Sequence, residues 1–228
     1  MRATQTLSVD FQKLQRTGPT GILVLRLMRA ANDLALANAG YRRYRQPGPP
    51  LEEHIRAGAR QYFVRLQCGH LAEALPLVTK VRHNSPLKAL LSRCTDDAQA
   101  AFGRLLECVK GGSQHEEFRK YVQRIRNKVA FHYDPKPIRK ALADRASRTE
   151  TRYSIITRGT NVDLWRFNAA DDIEVSVVAR QLWEIPRGAD LEAEDDRISL
   201  FGSNLCRDFI QFSAALSDRF IQQHALAG

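Results

Sequence analysis

Along most of the chain, apolar residues recur every three or four positions, the period of a helix with one buried face. Leu23, Leu27, Ala30, Leu34 and Ala37 predict a helix over about 19–38, which Gly40 is placed to end. "QPGPP" then separates it from a second long helix starting at Leu51, whose stripe is Ile55, Tyr62, Leu66, Leu71, Leu75 and Val78, with a kink expected at Pro76. Shorter helices are predicted at 86–92 and 95–110, before "GGS" breaks the pattern at 111–113. No G-K-[ST] follows those glycines, so they are not a phosphate loop.

The next helix is predicted to start near Ser113, with Glu116 three residues on as in a capping box. Phe118, Val122, Ile125 and Val129 form its apolar stripe, and Arg119, Lys120, Arg124, Arg126 and Lys128 make its other flanks densely positive. Pro135 disfavours helical backbone in the residues just before it. From about 148 the period shortens: "RYSIITRGTNVDLWRF" alternates apolar and polar residues around "GTN", the pattern of a β-hairpin. A hairpin is marginal alone, so it is expected to pack on the helices. Helix is predicted again at 171–184, then an acidic loop "PRGADLEAEDDR". A final helix over 197–224 would bury Leu200, Leu205, Phe209, Phe212, Leu216 and Phe220. The expectation is a mostly α fold: a polar segment (1–18), a helical bundle (19–148), and a small β-hairpin with C-terminal helices packed on it (149–228).

Composition adds that the chain can sustain a core and that it is strongly basic. Its 228 residues are 43% hydrophobic, and its formal charge is +10. Such a charge draws in anionic partners, whether RNA, DNA or an acidic membrane surface, without choosing among them. A membrane-surface role ranks last, because no helix combines a clean apolar face with a lysine-rich one. "GILVLRLMRAANDLALANAG" is interrupted by Arg26, Arg29, Asn32 and Asp33 and falls short of a span. The N-terminal residues lack the apolar run of a signal peptide, so a cytoplasmic protein is expected. Cys68, Cys94, Cys108 and Cys206 show neither C-x-x-C nor zinc spacing, and they read as reduced, mostly buried thiols. Cys68 and His70 could reach one ion, but two positions on a packed helix is the preferred reading. No metal or cofactor is expected.

The chemistry concentrates in "RNKVAFHYD", residues 126–134. A guanidinium can hold two phosphate oxygens and stays charged. A histidine can move protons near neutral pH, and an amide can orient either partner. Together they could cleave RNA without a metal, which needs a base for the 2′-hydroxyl, an acid for the leaving oxygen and donors for the phosphate.

This stretch, with the helix that leads into it, resembles the signature of HEPN domains, α-helical proteins of which many are ribonucleases. The family motif is an arginine, a polar residue such as asparagine, and after a short gap a histidine near a helix end. Here it stands as Arg126, Asn127, Lys128-Val129-Ala130-Phe131, His132, and the resemblance covers about residues 19–148. The additional C-terminal elements make the chain similar to the larger abortive-infection type. The resemblance implies a metal-independent endoribonuclease with Arg126, Asn127 and His132 as catalytic residues, leaving a 2′,3′-cyclic phosphate or its hydrolysis product. It also implies a homodimer in which paired motifs meet. A toxin of a toxin–antitoxin or phage-defence system would have an antitoxin protein as a further partner. The alternative is a non-catalytic HEPN-like module that dimerises and binds RNA or a protein.

On a straight helix, residues six apart point about 120° away from each other. Arg126 and His132 therefore converge only if the helix unwinds near Phe131 or if two subunits share the site. The bland alternative is that His132 caps a helix C-terminus, Arg126 pairs with a carboxylate such as Glu116 or Glu117 of a neighbour, and Asn127 is plain surface. Around the motif, Arg119, Lys120, Lys128, Tyr133, Lys136, Arg139 and Lys140 are candidate RNA contacts. "YRRYR" at 41–45 has a composition that can stack bases, although a solvated helix end describes it better. His70 and Glu73, one turn apart, are a weaker polar pair.

Overall fold

The computed structural model describes residues 8–47, 50–128, 135–149, 153–156, 158, 160 and 167–224, and for 50–54 and 57 the backbone alone. Among them the fold is mostly helical and contains no strand. The elements are α1 (Phe11–Arg16), α2 (Gly18–Arg45), α3 (Pro50–Arg82), α4 (Ser85–Leu91), α5 (Asp96–Cys108), α6 (His115–Phe118), a π-helical turn (Arg119–Gln123) and α7 (Arg124–Lys128). They continue with α8 (Pro135–Ala146), α9 (Asn168–Ser176), a second π-helical turn (Val177–Leu182) and α10 (Leu191–Gln223).

Local chemistry sets several helix starts. The Asp10 carboxylate accepts the N–H groups of Gln12 and Lys13 at 2.8 and 3.1 Å and opens α1. The Asn84 side chain accepts Leu87 N–H at 3.0 Å for α4, and the Thr95 hydroxyl accepts Ala98 N–H at 3.4 Å for α5. Asp190 does the same for α10, accepting from Glu192 and Ala193 at 3.0 and 3.1 Å. That cap corrects the predicted acidic loop. Glu192 and Glu194 sit in the first turn of a helix, where negative charge meets the positive end of the macrodipole.

Four further expectations change. Gly40 does not end α2, which runs on to Arg45. There Arg42, Arg43 and Arg45 favour a helix C-terminus. A Cβ at Gly40 would lie 2.2 Å from the Phe63 ring, so this glycine permits a close approach rather than a stop. Ser113 does not cap α6; its hydroxyl and its N–H both donate to the Glu107 carboxylate. Tyr62 and Leu200 lie outside the buried faces assigned to them, at 49% and 40% exposure. The β-hairpin is absent from the described part of its segment. Tyr153–Ile156 is irregular, with the Ile155 carbonyl accepting Ala169 N–H at 3.1 Å and the Ser154 hydroxyl donating to Asp172 at 2.6 Å. Those bonds go to α9 rather than to a second strand, and 152, 157, 159 and 161–166 lie outside the described residues.

The chain divides into two compact units, and α2, α3 and α10 contribute residues to both. The first comprises Met1–Ala35, Glu73–His115 and Leu205–Gly228. Its core includes Leu27, Leu34, Val78, Leu87 and Leu105, together with Phe209, Phe212, Leu216 and Phe220 from the predicted stripe of the last helix. The Phe212 ring meets Phe102 and Phe209 edge-on at 5.3 and 5.1 Å. Arg104 Nε and Nη2 make a fork on the buried Asp208 carboxylate at 2.9 and 2.8 Å, fastening α5 to α10.

The second unit comprises Leu36–Ala72 and Glu116–Asn204. Phe118, Val122 and Ile125 are buried as the stripe predicts, and Val129 lies outside the described residues. The buried Asn38 carbonyl accepts from Gln67 at 2.8 Å and from Ser203 at 2.6 Å, tying α2, α3 and α10 together. Arg60 and Gln61 donate to the buried Asp195 carboxylate at 2.6 and 2.9 Å. Burial pushes the Asp195 carboxyl above its usual range, against the opposing pull of Arg60 and Gln61. Tyr44 stacks on Phe63 at 5.8 Å, and Tyr62 meets the same ring edge-on at 5.2 Å. All four cysteines are buried and unbridged, as expected.

Candidate functional site

α7 is the short helix in which the motif begins. Its Ile125 is fully buried, so Arg126, Asn127 and Lys128 fall on the exposed arc. Arg126 Nη1 donates to Asn127 Oδ1 at 3.1 Å, which orders guanidinium and amide against each other. His132 and Tyr133 lie outside the described residues.

The register of α7 follows from the π-helical turn before it. Such a turn takes in an extra residue and so rotates everything downstream relative to a regular helix. Trp183, 1% exposed, donates from its indole Nε1 to the Tyr121 carbonyl in that turn at 3.2 Å. The Cys68 thiol approaches the same oxygen at 3.8 Å. Burial alone raises that thiol's pKa to about 12, so it acts as a weak donor and not as a thiolate.

The second π-helical turn is the platform for both basic helices. Arg124 Nη1 pairs with Glu184 at 2.9 Å, and its Nη2 donates to the Gln181 carbonyl at 3.5 Å, docking α7. The Gln181 side chain donates to the Pro137 carbonyl at 2.9 Å, docking the first turn of α8. Glu184 holds a left-handed backbone with φ of 57°, rare for a side-chain-bearing residue, and this conformation ends the turn. The hydrogen bond from Arg124 holds its carboxyl below the usual range.

Lys136, Arg139 and Lys140 are all exposed on α8. Arg119, also exposed, pairs with Glu116 at 3.1 Å, and the Lys120 ammonium lies 5.3 Å over the Tyr121 ring. Glu117 pairs instead with Arg197, at 3.4 Å. The "YRRYR" stretch divides: Tyr41 is buried and cannot stack a base, while Arg42, Arg43 and Arg45 are exposed. His70 is half-buried and Glu73 exposed.

Gln181, Trp183 and Glu184 escaped the sequence reading. They act on residues about 44 to 62 positions away, and no periodicity encodes such pairings. Among the described residues, no three His, Cys, Asp or Glu side chains are grouped so as to hold a metal, and no helix is long and apolar enough to cross a membrane. No protein-family model, curated protein or solved structure matches the chain.

Proposed function

We propose that the chain is a metal-independent endoribonuclease of the HEPN type, acting through Arg126, Asn127 and His132. One observation carries this reading. α7, with exposed Arg126, Asn127 and Lys128, and α8, with exposed Lys136, Arg139 and Lys140, rest on the same π-helical turn through Arg124 and Gln181. The segment joining the two helices in sequence contains His132. Cations on both sides of that segment suit a strand of RNA, whose phosphates would be held before any base is read.

In this reading the Arg126 fork binds the scissile phosphate and offsets the charge that develops on it. Asn127 fixes the guanidinium through the bond described above. His132 takes the proton of the 2′-hydroxyl, which attacks the adjacent phosphorus; the bond from phosphorus to the 5′-oxygen breaks, and the imidazolium returns its proton to that oxygen, releasing a 5′-hydroxyl and a 2′,3′-cyclic phosphate. A homodimer sharing two such motifs answers the angular mismatch between positions 126 and 132 on a straight helix. Toxicity in a toxin–antitoxin or phage-defence setting, restrained by a protein antitoxin, follows from unregulated cleavage.

The test is incubation of the purified chain with end-labelled RNA in chelator, repeated with Arg126→Ala and His132→Ala, with sedimentation to give the oligomeric state. Cleavage lost in both variants supports the reading, and cleavage that survives both refutes it. Binding without cleavage would favour the non-catalytic module.

A further inference from the structure

A cleft of about 640 Å³ in the first unit takes no part in the proposed cleavage. Arg82 at the end of α3, Lys88 on α4 and Lys110 after α5 line it, over an apolar floor of Phe102 and Leu106. Glu107 and the Gly111–Ser113 loop complete the wall. The volume falls within the range of small-molecule sites, about 300–1,000 Å³. No other group among the described residues pairs with the side-chain cations of Arg82, Lys88 or Lys110. Three cations against the single carboxylate of Glu107 leave the concavity net positive, which favours a ligand with several negative charges.

The loop is preformed. Gly111 has φ of 92°, and a Cβ at Gly112 would lie 2.3 Å from the Glu107 carbonyl oxygen, so both positions require glycine. Gln114 N–H donates to that same oxygen at 2.9 Å, and Ser113 holds Glu107 Oε2 through its N–H and its hydroxyl. The Ser113 hydroxyl keeps the Glu107 carboxyl below its usual range, hence ionised at neutral pH. Glu107 Oε1 accepts no hydrogen bond among the described residues.

We propose that this cleft binds a nucleoside polyphosphate, with Arg82, Lys88 and Lys110 on the phosphates, Glu107 Oε1 on the ribose hydroxyls and the Phe102–Leu106 floor under the base. Each feature answers one part of such a ligand. Cations alone would suit inorganic phosphate; a fixed carboxylate acceptor and an apolar surface beside them add the sugar and the ring. The proposal is independent of RNA cleavage, because neither Arg126 nor Asn127 lines the cleft.

Calorimetric titration of the full chain, at fixed ionic strength and without divalent cations, tests it with ATP, 2′-deoxy-ATP, pyrophosphate and a short single-stranded RNA. ATP is expected to bind saturably and more tightly than pyrophosphate. Lys88→Ala combined with Lys110→Ala should weaken ATP by about tenfold or more. Glu107→Gln should remove the preference for ATP over its deoxy analogue, and Arg29→Ala, at an exposed cation of α2 that does not line the cleft, should leave all affinities unchanged. Circular dichroism confirms that each variant is folded, and the exposed Arg82→Ala provides a second cation deletion. The proposal is overturned if ATP does not saturate, if pyrophosphate binds as tightly, if Arg29→Ala weakens ATP as much as the double variant, or if RNA binds more tightly than ATP through the same residues.

Discussion

Trp183→Phe tests whether one indole N–H holds the π-helical turn that sets the register of α7. Phenylalanine keeps a six-membered ring in the fully buried site but removes the donor that reaches the Tyr121 carbonyl at 3.2 Å. A net hydrogen bond contributes about 1 kcal/mol, and a buried carbonyl left short of partners costs about 1–3 kcal/mol. The Cys68 thiol at 3.8 Å still faces that oxygen, which favours the lower half of the range. The missing part of the indole leaves a void worth roughly 1 kcal/mol more. The sum is a destabilisation of about 2–3 kcal/mol. With a urea slope of about 3 kcal/mol/M for a chain of this length, the unfolding midpoint should fall by about 0.7–1 M without a change in slope. Urea titration followed by far-UV circular dichroism measures this. A shift below about 0.2 M with an unchanged slope would show that the turn does not depend on the indole donor.

Other outcomes follow from the same contacts. Arg104→Met should destabilise the fold by about 2 kcal/mol, less than a fully buried pair because Arg104 is itself 53% exposed, and chemical denaturation at neutral pH reads the loss from an unpaired Asp208. Glu174 is pushed above its ordinary value of 4.5 chiefly by burial, against the pull of Arg65. A carboxyl raised in the folded state adds stability in full below its unfolded pKa and loses it as pH rises through the folded one. Glu174→Gln, which does not titrate, should therefore gain on the wild type as pH rises from about 4 to 7, and urea midpoints moving the opposite way would reverse the sign assigned to this site. A disulfide-exchange reagent at pH 8 should find no fast thiol in the native chain and four after denaturation, and rapid labelling of Cys68 in the folded state would contradict its pKa of about 12.

The all-helical class was legible because Phe118, Val122 and Ile125, and Phe209, Phe212, Leu216 and Phe220, repeat at intervals that only a helix can bury on one side. Boundaries were less legible where a residue with a strong local habit serves a distant contact. Gly40 reads as a stop, but it is required by Phe63 on another helix. The acidic run reads as a loop until Asp190 is seen to cap it. Tyr153 to Ile156 alternates like a strand, yet its carbonyl and hydroxyl groups bond to α9. α8 was missed because two prolines open it and both Ile138 and Leu142 are exposed, leaving Ala141 as its buried residue. In the candidate site, the exposure of Arg126, Asn127 and Lys128 follows from the stripe of their own helix. The platform beneath them does not, since a π-helical turn has no residue signature and Gln181, Trp183 and Glu184 reach across the fold.

The meeting of Gly40 with Phe63 has a mechanical consequence for α2 and α3. Position 40 is a notch one hydrogen deep, filled by a benzene ring that Tyr44 and Tyr62 brace from two sides. Sliding α2 by a single residue would drive the methyl of Ala39 or the methylene of Tyr41 into that ring. The two helices are thus indexed like a ratchet and its pawl, and a displacement of either one must carry the aromatic trio with it.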